Sequence, residues 1–144
     1  VNIDFAAYED WPKIKALLCE TGLPHEDIKT PQLTHFLVIR DGERIAGVAG
    51  LEPCGSAALL RSLTVAPGYR HFGFASNLLS EMEEYAKSQG AGALYLLTLT
   101  AAEFFEKKGY KKIDRRDVPE AIRVTTEFEG LWPSNADCLV RRLT

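Results

Sequence analysis

The sequence predicts one α/β (α+β) domain, a mixed sheet flanked by helices. Three observations carry that expectation. The 144 residues are enough to bury one core and too few for two. A strand, an amphipathic helix and a second strand follow one another between Ala57 and Leu97, and such a unit can only be joined in parallel. Asp41-Gly42 sits between two further strand-like runs, the pattern of a tight antiparallel hairpin.

Taken in order, Asp10 before Trp11-Pro12 is a helix-start signal, and Ile14, Leu17 and Leu18 recur at helical spacing, giving a helix over about 11–21. Gly22 and Pro24 end it, and Pro24 to Ile28 reads as one further short helical turn. The hairpin pairs His35–Arg40 with Arg44–Leu51, and Ala57–Val65 is the next strand. In the longest helix Ala75, Leu78, Leu79, Met82 and Ala86 form one buried stripe, opposite Asn77, Ser80, Glu81, Glu84 and Lys87. Gly90 stops that helix before a buried strand over Ala93–Leu97. Thr100 and Glu103 have capping-box spacing, so a short helix runs over about 101–108 to Gly109, and Tyr110–Asp114 returns as a strand. Asp117 and Glu120 repeat the spacing and predict a helix over 119–129, despite Val124, Thr125 and Thr126; Ala136–Leu143 closes the sheet.

The net charge of −3 argues against a broad surface for nucleic acid and leaves room only for a local anion site. No apolar run reaches the length of a membrane span and the first residues lack a signal-peptide pattern, so the expected compartment is the cytoplasm. Cys19, Cys54 and Cys138 have no metal-ligand spacing to one another or to a histidine, which predicts reduced, buried thiols and no metal site.

The segment from Leu63 to Ser76 carries the chemistry. A strand runs into a turn whose successive N–H groups can converge on one centre, and the following helix adds its unpaired amides and dipole. Gly73 permits close approach to the backbone, small Ala75 keeps the first turn uncrowded, and Arg70 and His71 add charge. Arg70-x-x-Gly73-x-Ala75, after Leu63-x-Val65 and before an amphipathic helix, resembles the acetyl-CoA signature of the GNAT superfamily. Leu94 to Leu97, then Ala102-x-x-Phe105-x-x-x-Gly109-Tyr110, is similar to the cofactor-side strand and helix of that family.

The resemblance implies a mostly antiparallel sheet with a central, splayed parallel pair, acetyl-CoA as cofactor, and transfer of an acetyl group to the amine of a small molecule. It implies that backbone amides of His71, Phe72, Gly73, Phe74, Ala75 and Ser76 bind the pyrophosphate. It further implies that Leu63, Thr64 and Val65 pair with the pantetheine arm, with an amide near Leu63 facing the thioester carbonyl. A carboxylate must take the amine proton; Glu52 and Glu127 are the candidates, Glu52 preferred beside Arg61, and either also reads as a solvated or ion-paired glutamate. Phe105 stands where many members have a tyrosine that protonates the leaving thiolate. Tyr95 or Tyr110 could substitute, or simply pack.

Arg61 interrupts an apolar strand beside Ser62, which suggests a fork for an acceptor's carboxylate, phosphinate or arsonate; the alternative is a salt bridge to Glu43 or Glu52. Arg123 and Thr126 could line the same pocket. Leu59 to Ser62, Val118 to Arg123, Thr126 to Phe128 and Leu131-x-Pro133-Ser134 resemble the branch found with arsenic-resistance systems, with Trp132 where a cysteine is expected. Glutamate-type amino-acid acetylation and a catalytically silent acyl-CoA-binding module are the other readings. The resemblance allows a homodimer.

Overall fold

The computed structural model describes residues 2–143. The hairpin expected around Asp41-Gly42 forms as β2 (Phe36–Asp41) and β3 (Arg44–Cys54). Its turn is Gly42-Glu43, one residue later than expected, because Asp41 pairs with Arg44 and Gly42 takes the left-handed position at φ 61°. β4 (Ala57–Val65) follows, then α2 (Phe74–Ser88) and β5 (Ala93–Thr98). β4 and β5 are parallel, with Ala58 opposite Leu94 and Leu59 opposite Tyr95. α1 (Trp11–Thr21), α3 (Ala102–Lys107) and α4 (Glu120–Arg123) complete the helices, with β1 (Asn2–Phe5) and β6 (Lys111–Lys112) as edge strands and β7 (Asp137–Arg142) between β5 and β6.

The described residues group into two compact units, one running to Glu52 and resuming over Arg61–Glu84, the other made of Pro53–Leu60 and the chain from Tyr85. In the first, the strand order is β1-β2-β3-β4, with β1 and β2 antiparallel. Ile14, Leu17 and Leu18 of α1 pack with Leu33, Phe36, Val38 and Val48. In the second, the order is β4-β5-β7-β6, and β7 runs antiparallel to both neighbours. Leu59, Leu97 and Cys138 pack there with Val118, Ile122 and Phe128. Mixed pairing with one parallel crossover is the sheet the sequence predicts.

Several local expectations are corrected. β1 gave no recognisable run. Residues 24–28 form a single hydrogen-bonded turn, with Ile28 N donating to His25 O at 3.1 Å, and a 3-10 helix over Thr30–His35 claims the residue expected to begin β2. Asp10 precedes α1 without capping it, since its carboxylate instead accepts from Ala7 N (2.6 Å) and from both terminal nitrogens of Arg40 (2.9 and 2.6 Å). Neither later capping box forms: α3 starts at an uncapped Ala101, whose N–H donates to Thr98 Oγ1 at 3.0 Å, and α4 starts after Pro119. The strand expected over 110–114 shrinks to the two residues of β6. The helix expected over 119–129 breaks after Arg123 and resumes as a π-helical turn over Glu127–Leu131. The break falls on β-branched residues, where Thr125 Oγ1 donates to Ile122 O at 2.7 Å in competition with the helix ladder. Of the cysteines, all free, only Cys138 is buried; Cys19 is exposed. Ala75 is half-buried, while Leu78, Leu79, Met82 and Ala86 are buried as expected.

Two predictions follow from this packing. A Cβ on Gly50 would lie 2.5 Å from the ring of Phe36, which is only 1% exposed and cannot swing away. Gly50→Ala is expected to lower stability by about 1–3 kcal/mol, read as a shifted urea midpoint at unchanged slope. The hydrogen-bonded Arg40 guanidinium holds the Asp10 carboxyl below its ordinary 3.8. The pair's contribution is therefore complete above that value and disappears as pH falls through the lowered native pKa. Asp10→Asn should be less stable than the parent chain at neutral pH, and the two urea midpoints should converge in acid.

Candidate active site

β4 delivers Val65 to the start of the loop, where Ala66 N donates to Ala46 O at 2.7 Å. A 3-10 turn over Pro67–Tyr69 reverses the chain, fastened by the Tyr69 hydroxyl donating to Asp41 Oδ2 at 2.6 Å. Arg70 Nε donates to Val65 O at 3.0 Å and folds the loop back on the strand end. His71 then adopts φ 72° and Gly73 φ 80°. Left-handed residues two apart turn successive N–H groups toward one concave side, the arrangement that binds anions. α2 begins at once, with Asn77 N donating to Gly73 O at 3.0 Å as its first rung, so the amides of its first turn have no helical acceptor. A Cβ at Gly73 would meet no atom within 4 Å, which leaves the backbone open to close approach. His71, Phe72 and Gly73 are exposed, and Phe74, Ala75 and Ser76 are half-buried. Convergent amides, an open backbone and the dipole of α2 fit a diphosphate.

Three residues upstream of Val65 the backbone of β4 departs from ordinary extended geometry. Ser62 has φ 60°, a left-handed value within the continuous span of β4, and Leu63 and Thr64 beyond it are half-buried. Arg61, with 1% of its side chain exposed, meets Asp27 through two parallel bonds, Nη1 to Oδ2 at 2.5 Å and Nη2 to Oδ1 at 2.7 Å. Its Nη1 also reaches Glu52 Oε1 at 2.8 Å, and its Nε donates to Ser62 Oγ at 3.2 Å. The fork expected for an acceptor is thus engaged within the chain. The Glu52 partner was the foreseen alternative; Asp27 was not foreseen, since nothing in the sequence links a turn residue to a strand 34 positions away.

The other expected residues lie in the second unit. Phe105 is buried and stacks edge-on with Phe104 (5.1 Å) and Tyr110 (5.5 Å). Glu127 is 2% exposed on the π-helical turn, while Arg123 and Thr126 are exposed. Tyr95 packs at the edge of the core around Leu97. Burial pushes the Cys138 thiol up to about 12 despite the nearby charge of Arg115. Among the described residues no group of His, Cys, Asp and Glu is placed to hold a metal, and no helix is long and apolar enough to cross a membrane.

A mixed sheet whose strand-to-helix turn presents an anion-binding backbone defines a nucleotide-type or coenzyme-binding α/β protein. Residues 32–112 match the family model of the acetyltransferase (GNAT) domain, and the chain belongs to that family. It is 30% identical over 95 residues to an amino-acid acetyltransferase of Ectopseudomonas mendocina, covering 62% of this chain and 21% of that protein. The chain therefore spans about a fifth of the length of that curated relative. Its fold matches N-acetylglutamate synthase from Neisseria gonorrhoeae, solved with coenzyme A and N-acetylglutamate, at a TM-score of 0.86 and 24% identity over 99% of this chain and 35% of the other. A GNAT-family acetyltransferase from Staphylococcus aureus matches with a TM-score of 0.79 and 20% identity over 99% of both chains.

The Arg61 cluster yields a test. Removing Asp27 leaves Arg61 still paired with Glu52, whereas replacing the cation by an apolar side chain of similar length strands two neighbouring carboxylates without that counter-charge. Arg61→Met should cost about 3–5 kcal/mol in urea unfolding and Asp27→Ala distinctly less. Equal losses would show that the charges are not what matters there.

Proposed function

We propose that the chain uses acetyl-CoA to acetylate the amine of a small, anionic, amino-acid-like acceptor. The reading is carried by the backbone of residues 71–76, which offers a diphosphate converging amides and a helix N-terminus. Acetyl-CoA supplies an acetyl group already activated as a thioester. The chain's own residues have three tasks. Amides of His71 to Ser76 hold the diphosphate, with Arg70 adding positive charge at the loop. The strand over Leu63, Thr64 and Val65 offers its edge to the pantetheine arm, and an amide near Leu63, just after the left-handed Ser62, supplies a hydrogen bond to the carbonyl oxygen. One such preorganised donor contributes roughly 3 kcal/mol.

The third task is proton removal. An amine whose pKa lies two units above ambient pH costs about 2.7 kcal/mol to present as the free base. Glu52 is our choice of acceptor for that proton, directly or through water, because it is half-buried and held in place by Arg61 at 2.8 Å. Arg61 then acts through Glu52 as a positioning residue, and the acceptor's carboxylate falls to Arg123 and Thr126. Glu127 is the other candidate base. Phe105 carries no hydroxyl, so the thiolate takes its proton from solvent; its ordinary pKa near 8.5 makes it a good leaving group without help.

The relatives named amino-acid acetyltransferases favour an amino acid, glutamate foremost, over an arsenical or phosphinate analogue. Phe105 favours one second reading, a silent module that binds acyl-CoA without turnover. Thiol release from acetyl-CoA, measured across amino acids and their phosphinate and arsonate analogues, separates these. A single responsive anionic amine supports the enzyme, whereas binding of coenzyme A with no turnover on any amine supports the module. Gly73→Val, which puts a branched side chain at φ 80° on the open backbone, should weaken coenzyme A about ten-fold or more in a chain that remains folded. Unchanged affinity would remove the diphosphate from this loop.

A further inference from the structure

The register of the second unit places Ala93 opposite Arg142, Tyr95 opposite Val140, and Val140 opposite Lys111 on β6. Directly opposed residues share a face of the sheet. One step along β5 on that same face, Leu97 opposite Cys138 is covered by Val118, Ile122 and Phe128. The helical cover reaches the edge of Tyr95 and ends. Beyond it lies a cavity of about 510 Å³, whose lining includes Tyr95, Lys111, Ile113, Asp117, Val140 and Arg142. None of these residues belongs to the loop over 70–76.

The chemistry of this cavity is amphiphilic. Its floor is the ring of Tyr95 with Ile113 and Val140, all half-buried. Lys111 and Arg142 bring two cations to it against the one carboxylate of Asp117, in a chain whose net charge is −3, while Arg141, opposite Leu94, belongs to the other face. Lys112, the next residue on β6, is engaged by Asp137 at 3.8 Å. The side chains of Lys111 and Arg142 are exposed and form no ion pair or hydrogen bond with any described residue. Two uncompensated cations beside an apolar floor of pocket size match a ligand with one apolar and one anionic end.

We propose that this uncovered part of the β5–β7–β6 face is a second binding site, for a small organic anion. Lys111 and Arg142 hold its carboxylate or phosphate, and its apolar body lies on Tyr95, Ile113 and Val140.

The test is a titration of the isotope-labelled chain followed by amide NMR at low salt, with coenzyme A saturating so that the loop is occupied. The probes are benzoate, phenyl phosphate, benzyl alcohol and inorganic phosphate. Benzoate or phenyl phosphate should give saturable shifts centred on Tyr95, Lys111, Ile113 and Val140, and the stronger of the two identifies the head group. Lys111→Glu and Arg142→Glu, both at exposed positions, should each weaken that binding about ten-fold. Linear shifts that never saturate, or shifts centred elsewhere, would overturn the site. Equal binding of benzyl alcohol would overturn the role of the cations, and equal binding of inorganic phosphate the role of the floor.

Discussion

A guanidinium with 1% of its side chain exposed cannot stay charged in an apolar strand unless something neutralises it, and in this chain Asp27 and Glu52 do so. Desolvating three charges gains little net stability, because the Coulombic return roughly offsets the loss of hydration. What the cluster does secure is geometry. The planar fork of Arg61 fixes the turn that carries Asp27 and the end of β3 that carries Glu52 against one point of β4, with the left-handed Ser62 immediately after it. The strand that leads into the loop is therefore held beside the one residue of it that takes a left-handed φ.

From that point the functional geometry is local. The reversal at Pro67–Tyr69, the Arg70 bond to Val65 and the left-handed values at His71 and Gly73 lie within nine residues, and each follows from short-range chemistry. Backbone amides need no particular side chains to recognise an anion, which is why such a loop can be shared widely while acceptors differ. Choice of acceptor falls instead to side chains brought from distant parts of the sequence. The same division explains why a match over residues 32–112 establishes the family and not the acceptor.

Legibility from sequence followed the same line. Periodicity located α1 and the stripe of α2, the Asp41-Gly42 pair located the hairpin, and the crossover rule made β4 and β5 parallel. Gly73 and Ala75, read with Arg70, located the loop. Long-range pairing was beyond such reasoning. Arg61 stood out as a charge in an apolar strand, yet its principal partner sits in a turn that the sequence misread as helical. Capping signals misled twice, at Thr100 and Asp117, because a cap is decided by backbone direction and competing acceptors such as Thr98 Oγ1. The late helix was read through Val124 and Thr125, whose branched side chains were the warning. β1 is a four-residue edge whose pairing depends entirely on β2.

The central claim concerns main-chain hydrogens, so the most direct measurement watches them individually. Amide exchange of the intact chain, resolved to single residues, should slow most at His71 through Ser76 when coenzyme A is added and should not slow there with dephosphorylated pantetheine. Protection spread elsewhere, with those six amides exchanging at the same rate in both states, would contradict the account.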